Sequence, residues 1–180
     1  MNLDEALDNH REKIVNRWVE YTLSTYKSSE FFLREDDRFA NPVGGITRLA
    51  LNKLFDLLAN KSDSKEFADP IGEIMRLRSV QTFTASQAVA PINAVKHIVR
   101  EVLAESKASA SLVNNLYDFD FAVDLAMLTA FDIYMQCREQ LYKVRLNEIK
   151  SGTNVLTDSR CPSKLLKDDD KDSSETVKNK

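Results

Sequence analysis

Apolar side chains recur along this chain at intervals of three and four residues, the spacing typical of amphipathic helices. The first such stretch runs from about Leu3 to Tyr26, with Asn2 and Glu5 placed as a capping box at its start. Residues 27–45 follow as a connector that carries several apolar side chains and ends in a turn signal over Asn41–Gly45. The pattern predicts one N-terminal helix and a loop that packs back on the body.

A second helix is predicted directly after Gly45. Its apolar side chains form one stripe, made of Ile46, Leu49, Ala50, Leu54, Leu57 and Leu58. A third, shorter helix is predicted to begin with Asp69 as its N-cap and with Pro70 at its first position, where a proline fits.

The fourth predicted helix begins at a capping box. Thr84 and Gln87 have the spacing at which each side chain binds a backbone N–H that the helix leaves without a partner. Pro91 lies inside the apolar pattern that follows, so we expect the first turns to be kinked or separate.

The last helical stretch runs from Leu112 to Lys150 and would be about 58 Å long as one straight helix. A break is therefore expected near Asn114–Asn115 or Tyr117–Asp118. Because the residues from Phe119 to Ile133 are apolar on nearly all sides, this part is predicted to be central and buried. Ser151–Gly152 is a stop signal.

The composition supports an all-α fold. The chain of 180 residues has only 4 Gly and 4 Pro, and an all-β sandwich or barrel needs more tight turns than these provide. The residues after 150 are polar and highly charged, which is typical of disorder. We expect a single-domain helical bundle over residues 1–150 with a long C-terminal helix, followed by a disordered tail over residues 151–180.

The charge balance and the cysteine count exclude several functions. With 25 Lys and Arg against 28 Asp and Glu, the net charge of −3 leaves no basic excess for binding nucleic acid. No apolar run approaches about 18 residues, and the N-terminus has no secretory signal. Two cysteines, Cys137 and Cys161, are too few for a disulfide framework or a zinc site. We expect a cytoplasmic protein that does not insert into membranes.

No catalytic or metal-binding motif is recognisable in the sequence, which lacks a Walker A loop, an H-E-x-x-H pair and a nucleophile elbow. The two histidines, His10 and His97, both have polar neighbours and are predicted to be exposed. A haem-ligand role for His97 needs an apolar pocket that the local pattern does not provide. No cofactor, metal or enzymatic activity is expected.

Arg78 is the most informative polar residue, because it continues the inward stripe of Ile71, Ile74 and Met75. A guanidinium on an inward face needs a carboxylate or several carbonyls. Asp120, Asp124 and Asp132 lie on or beside the apolar face of the central helix. One interpretation is a buried charge element that holds or switches the packing. The alternative is that Arg78 extends to solvent at the end of its helix.

The segment from Tyr134 to Tyr142 alternates aromatic anchors with charges. It is typical of a helix that packs inside and then emerges to meet a partner helix, with Tyr134, Arg138, Tyr142 and Arg145 as candidate contacts. Plain core packing explains the pattern equally well. Cys137 is expected to be an inert residue at the core boundary.

A series of separate blocks occurs in one order along the chain: RFANPVG (38–44), IMRLRSVQ (74–81), TASQA (84–88), AFDIYMQCRE (130–139) and RLNEIK (145–150). Together they resemble the N-terminal domain of the RsbR/RsbRD-type co-antagonist proteins of the bacterial stressosome, over roughly residues 5–150. The resemblance implies an all-helical signal-input domain of globin-like fold without haem. It also implies a domain that is often dimeric and whose last helix leads into a STAS output domain. Only a polar tail follows Lys150, so we expect a stand-alone copy without a STAS domain.

The expected function is that of a non-enzymatic sensory or regulatory domain that signals to a partner protein by helix repacking. The switch candidates are Arg78, Asp120, Asp124, Asp132, Phe39, Asn41 and Pro42. Two alternatives stay open: a small-molecule or haem-binding globin-like module, and a scaffold subunit of a stress-signalling or respiratory redox complex. The expected partner is a protein, which includes a second copy of the chain, and not a nucleic acid.

Overall fold

A computed structural model of the chain describes residues 1–27, 29–34 and 40–152. Within these ranges the chain forms helices and no strand. The α-helices are α1 (Leu3–Asn9), α2 (Arg11–Ser24), α3 (Ser29–Arg34), α4 (Pro42–Ala59), α5 (Ala68–Ser79), α6 (Ala85–Glu105) and α7 (Tyr117–Ser151). Short 3-10 helices over Ser64–Phe67 and Ala110–Asn115 precede α5 and α7. The predicted all-α fold with a long C-terminal helix is confirmed.

The chain divides into two compact units, Met1–Glu139 and Gln140–Lys180. In the first unit α2 is the central helix, because it packs against α3, α4 and α6, while α5 packs on α4. Trp18 of α2 is the largest of its fully buried side chains. Of the second unit, the structure describes residues 140–152, and most of their side chains are exposed.

The predicted N-terminal helix is two helices. His10 separates α1 from α2, because its backbone (φ −104°, ψ 5°) lies outside the α-helical region. The break allows α1 to pack on both α2 and α4. No Gly or Pro marks this position, so the hydrophobic period continues across it and predicts a single helix. The capping box of Asn2 and Glu5 is confirmed.

Helix α4 begins before the two glycines, so the prediction that it follows Gly45 is wrong. The Oδ1 atom of Asn41 accepts a hydrogen bond from the backbone N–H of Gly44 at 2.8 Å, and Pro42 occupies the first turn. The predicted turn signal is therefore an N-terminal helix cap. Leu49, which was assigned to the apolar stripe of α4, is exposed.

The prediction for the start of α6 is confirmed, and the prediction for α5 is shifted. Thr84 and Gln87 form the expected capping box. Pro91 lies within a continuous α6 and does not divide it. The 3-10 helix that ends at Phe67 leads directly into α5, so Asp69 lies in the first turn and is not the N-cap.

The break before α7 lies at Leu116, between the two predicted positions, and the helix ends at Ser151 as predicted. The section from Phe119 to Ile133 was predicted to be central and buried, and this is wrong for one of its sides. One side is buried and carries Phe119, Val123, Ala126 and Ala130. Other apolar side chains of this section are exposed, namely Phe121, Leu128 and Phe131.

Candidate functional site

The Arg78 side chain is fully buried in the last turn of α5. Its burial follows from the sequence, because Arg78 lies on the same face of α5 as Ile71, Ile74 and Met75, which are also fully buried. The alternative in which Arg78 extends to solvent is therefore wrong. Burial lowers the pKa of Arg78 from its usual value, but an arginine side chain keeps its charge in proteins.

The guanidinium contacts oxygen atoms and aromatic rings, and no carboxylate is among its partners in the described part of the chain. Both terminal nitrogens lie 3.1 Å from the Thr25 hydroxyl, and Nη2 donates to the backbone carbonyl of Gln87 at 3.0 Å. The Arg78 Cζ atom lies 5.0 Å from the centre of the Tyr26 ring and 4.2 Å from that of Phe83. Cation–π attraction to the two rings, and the negative C-terminal end of the α5 helix dipole, offset part of the cost of burying the positive charge. We call Thr25, Tyr26, Arg78, Phe83 and Gln87 the Arg78 cluster.

The Gln87 carbonyl is available to Arg78 because of Pro91. In an α-helix the carbonyl of residue 87 accepts from the N–H of residue 91, and proline has none. The proline's own carbonyl accepts a hydrogen bond of 2.7 Å from the indole Nε1 of Trp18. Pro91 thus accepts a hydrogen bond that joins α2 to α6, and it leaves the Gln87 carbonyl free to accept from the guanidinium of Arg78.

Some polar groups in the first unit are buried without a hydrogen-bond partner among the described residues. They are Arg78 Nε, Tyr26 Oη and Thr47 Oγ1. Burial raises the pKa of Tyr26, and the nearby positive charge of Arg78 opposes this increase. Each buried group that lacks a partner costs about 1–3 kcal/mol of folding free energy. Polar groups within the Arg78 cluster are therefore incompletely satisfied.

The Arg78 cluster is connected to the start of α4. The Tyr26 ring packs edge-on against Phe32 of α3, with 5.4 Å between the ring centres. The Nδ2 atom of Asn41 donates to the Phe32 carbonyl at 3.0 Å, and its side chain is buried. Asn41 and Pro42, two of the predicted switch residues, therefore lie next to the cluster. Phe39 lies outside the described residues.

Two residues of α7 bind the segment that contains Phe83. The Tyr134 hydroxyl donates to the Phe83 carbonyl at 2.6 Å, and Arg138 Nη1 donates to the Ser79 carbonyl at 3.0 Å. Tyr134 is buried in the core, so its prediction as a partner-facing residue is wrong. Arg138 is half-buried, and the other two predicted contacts, Tyr142 and Arg145, are exposed.

The three predicted aspartates are not bonded to Arg78. Asp120 forms a bidentate ion pair with Arg100 of α6. Asp124 pairs with Lys96, also of α6, at 2.6 Å. Asp132 is exposed. These carboxylates do not form a buried charge element with Arg78, because α7 directs Asp120 and Asp124 towards basic side chains of α6.

An open groove of about 700 Å³ lies beside His97. Most of the residues that line it are polar or charged, although apolar atoms form the larger part of its surface. The lining consists of Asn16, Arg17, Val19, Glu20, Tyr21, Ser24, Leu33, Arg48, His97, Ile98 and Glu101. His97 is 77% exposed, and its Nε2 lies 3.0 Å from a Glu101 carboxylate oxygen. Because the groove is open and His97 is mostly exposed, it does not supply the enclosed apolar pocket that haem ligation by His97 requires.

The described residues contain no group of three or more His, Cys, Asp or Glu side chains arranged to hold a metal ion. No helix among them is both long and apolar enough to span a membrane. Several ion pairs of the first unit instead join helices, as Glu105 of α6 does with Lys13 and Arg17 of α2.

The family model of the RsbT co-antagonist protein RsbRD N-terminal domain matches residues 12–149. The chain belongs to this family. The resemblance inferred from the sequence blocks is therefore confirmed, and RsbRD N-terminal domains are sensory domains of stress signalling. No curated protein and no solved structure matches the chain.

The blocks that carry the RsbRD resemblance meet around the Arg78 cluster. Asn41 comes from the first block, Arg78 from the second, Gln87 from the third and Tyr134 from the fourth. Sequence reasoning did not find Thr25, Tyr26 or Phe83 as partners of Arg78, because they belong to other segments. The one available signal was Pro91, since a proline inside a helix leaves a carbonyl without its usual donor.

Proposed function

We propose that this RsbRD N-terminal domain is a non-enzymatic sensory and regulatory domain that acts in the cytoplasm. It signals to a partner protein by repacking its helices around the Arg78 cluster. The observation that carries the proposal is a fully buried guanidinium with no carboxylate among its described partners. Its contacts join the ends of α2 and α5 to the beginning of α6 and to the segment that α7 binds.

The energetics of the cluster suit a switch. Burial of an arginine without a carboxylate costs free energy, and rings and neutral oxygens offset only part of that cost. The packed arrangement is then favoured over alternatives by a small margin, as a two-state element requires. Phe83 both covers Arg78 and accepts the Tyr134 hydrogen bond, so a movement of its backbone changes both contacts.

The signal enters through the segment around Asn41 and leaves through α7. Asn41 holds α3 against the start of α4, and Phe32 of α3 contacts Tyr26 in the cluster. A ligand or protein that displaces this segment removes the contact of Phe32 with Tyr26 of the cluster. The exposed α7 residues Tyr142 and Arg145 belong to the surface that contacts the partner.

Replacement of Arg78 by alanine tests the proposal, with Arg76→Ala as the matched control. Arg76 lies on the same helix, is 64% exposed and pairs with Glu73 one turn away. In hydrogen exchange, Arg78→Ala should speed exchange of the amides around Tyr134 as well as those at the end of α2, and Arg76→Ala should not. If Arg78→Ala unfolds the domain, Arg78→Lys, which keeps the charge but loses the fork of donors, serves in its place.

The signalling part is tested by native mass spectrometry of the protein purified from its own host. A partner chain should accompany the wild type and the Arg76→Ala variant, and binding of that chain should be lost in Arg78→Ala. A folded Arg78→Ala variant with unchanged α7 exchange and normal partner binding would show that the cluster is not a switch.

The groove beside His97 favours a second candidate, the binding of a small polar molecule. Its volume of about 700 Å³ and its charged lining suit a ligand with both donors and acceptors. The same mass-spectrometric sample, with an absorption spectrum, reveals a bound molecule or chromophore. A ligand that disappears in His97→Ala would support this candidate, and a ligand-free protein would speak against it.

A further inference from the structure

The positive charge of Arg78 faces no opposite charge among the partners that the described residues provide. An arginine has N–H donors on Nε as well as on both Nη atoms, and the hydrogen bonds of Arg78 come from the Nη atoms. They end at neutral oxygens, the Thr25 hydroxyl and the Gln87 carbonyl. Neutral oxygens offset part of the cost of burying the charge, and a negative ion in contact with the guanidinium offsets more.

Two donors of the Arg78 cluster indicate where such an ion binds. Arg78 Nε and Tyr26 Oη are buried and have no hydrogen-bond partner among the described residues. The Arg78 Cζ atom lies 5.0 Å from the centre of the Tyr26 ring. Burial raises the pKa of Tyr26, and the positive charge of Arg78, which lies near the hydroxyl, opposes this increase. The two unpartnered donors are therefore neighbours, and an anion is an acceptor for both.

The packing around these donors restricts the size of the anion. Arg78 is 0% exposed and Tyr26 is 3% exposed. Phe32 and Phe83 each pack edge-on with the Tyr26 ring, with 5.4 Å between the ring centres. Packed interiors leave few spaces larger than a water molecule. A monatomic ion such as chloride needs little more room than a water molecule, whereas a polyatomic ion such as sulfate has to displace a ring.

The Arg78 cluster lies close to the surface, so an ion has a short way to travel. Two residues after Arg78 comes Val80, which is 67% exposed. Residues 80–84 connect α5 to α6, and Phe83 in this connection contacts both Arg78 and the Tyr26 ring. A movement of this short connection therefore opens the cluster without unfolding a helix.

We propose that the Arg78 cluster binds one monatomic anion of the size of chloride, between Arg78 Nε and the Tyr26 hydroxyl. The ion accepts a hydrogen bond from each group and neutralises the buried guanidinium. Because it binds the packed arrangement of the cluster, it favours that arrangement over the alternatives. As a regulatory input the ion rests on the proposed function, since it acts on the same cluster. Its binding is measured without a partner chain.

The position of the ion is tested by X-ray crystallography of the full-length protein grown in sodium bromide. Bromide replaces chloride and is identified by its anomalous scattering. We expect an anomalous peak within about 3.5 Å of both Arg78 Nε and Tyr26 Oη. A water molecule at this position without anomalous signal, or bromide at the protein surface only, would overturn the proposal.

Binding in solution is tested by urea unfolding at constant ionic strength, with gluconate as the replacing anion. Raising chloride from about 0.01 M to about 0.5 M should raise the unfolding midpoint of the wild type and of Arg76→Ala, the exposed control. Tyr26→Phe keeps the ring and removes one donor, so the apparent dissociation constant for chloride should rise about tenfold or more. Arg78→Met should abolish the response.

A wild type that does not respond to chloride would refute the anion site. An equal response in the wild type and Tyr26→Phe would refute it too, because a general salt effect acts on both alike. Tyr26→Phe decides the matter if Arg78→Met does not fold. A chloride response that Tyr26→Phe weakens, together with normal partner binding by a folded Arg78→Ala variant, would support the anion site and contradict the proposed function.

Discussion

Arg78 donates the hydrogen bond that Pro91 cannot make. The carbonyl of Gln87 would accept from the N–H of residue 91 in an ordinary helix, and it accepts from Arg78 Nη2 at 3.0 Å instead. Pro91 therefore leaves the Gln87 carbonyl without its usual donor, and this carbonyl lies where α5 places the buried guanidinium of Arg78. The two residues depend on each other, although they belong to different helices.

This dependence is measurable in a double-mutant cycle. Arg78→Met removes the donor and keeps most of the volume, which leaves the Gln87 carbonyl buried without a partner. In a Pro91→Ala background the alanine N–H satisfies that carbonyl, so we expect Arg78→Met to cost about 1 kcal/mol less in urea unfolding. Pro70→Ala, on the same helix as Arg78, is the control and should be additive with Arg78→Met. If Arg78→Met lowers the free energy of unfolding equally in the wild-type, Pro91→Ala and Pro70→Ala proteins, Arg78 and Pro91 do not depend on each other.

The Tyr26 hydroxyl makes stability sensitive to alkaline pH. Burial raises the pKa of Tyr26 above its ordinary value of 10.0, so the folded state holds this proton more tightly than the unfolded state. The resulting stability is complete below pH 10 and is lost as the pH rises through the folded-state pKa, by up to about 1.4 kcal/mol per pH unit. Tyr26→Phe should remove this loss, while Tyr117→Phe, at an exposed site, should leave it as in the wild type. Parallel pH profiles of wild type and Tyr26→Phe would refute the assignment.

Gly44 is required because the Asn41 side chain folds over it. A Cβ atom on Gly44 would lie 2.2 Å from Asn41 Nδ2 and 2.8 Å from Arg48 Nη1. Gly44→Ala should therefore displace the cap and destabilise the domain by about 1 kcal/mol or more. At Gly72 of α5 the nearest atom to a new Cβ is the end of the Arg76 side chain, at 3.4 Å. Gly72→Ala should be neutral or stabilising by up to about 1 kcal/mol in thermal unfolding, because alanine favours the helix. Equal effects of the two substitutions would show that the cap is not responsible.

Tyr134 connects α7 to the Arg78 cluster through one hydrogen bond. Tyr134→Phe keeps the buried ring and removes the 2.6 Å bond to the Phe83 carbonyl. We expect a loss of about 0.5–1.5 kcal/mol in denaturant unfolding. Faster amide exchange should appear in the segment that contains Phe83. Tyr117→Phe, at an 81% exposed position of the same helix, is the matched control and should change neither quantity. If both variants behave alike, the hydroxyl does not hold α7 in place.

Much of the fold and part of the site are predictable from the sequence. The capping boxes at Asn2 and Thr84 and the inward position of Arg78 are visible in the order of residues along one segment. The boundaries that depend on other segments are not predictable in this way. No Gly or Pro marks the break at His10, which occurs where α1 packs on both α2 and α4. Asp120 and Asp124 have the right period to lie beside the core, but the period does not reveal that Arg100 and Lys96 bind them.

The sequence by itself therefore determined the helical class, most of the caps and the fact that a guanidinium lies inside. These features depend on interactions between residues three or four positions apart, and such interactions leave a local pattern. Only the tertiary structure decided what neutralises Arg78. Its partners are a hydroxyl 53 residues earlier in the chain, two aromatic rings and a carbonyl that a proline leaves open. Contacts of this kind form when distant segments pack together, and no spacing along the chain specifies them.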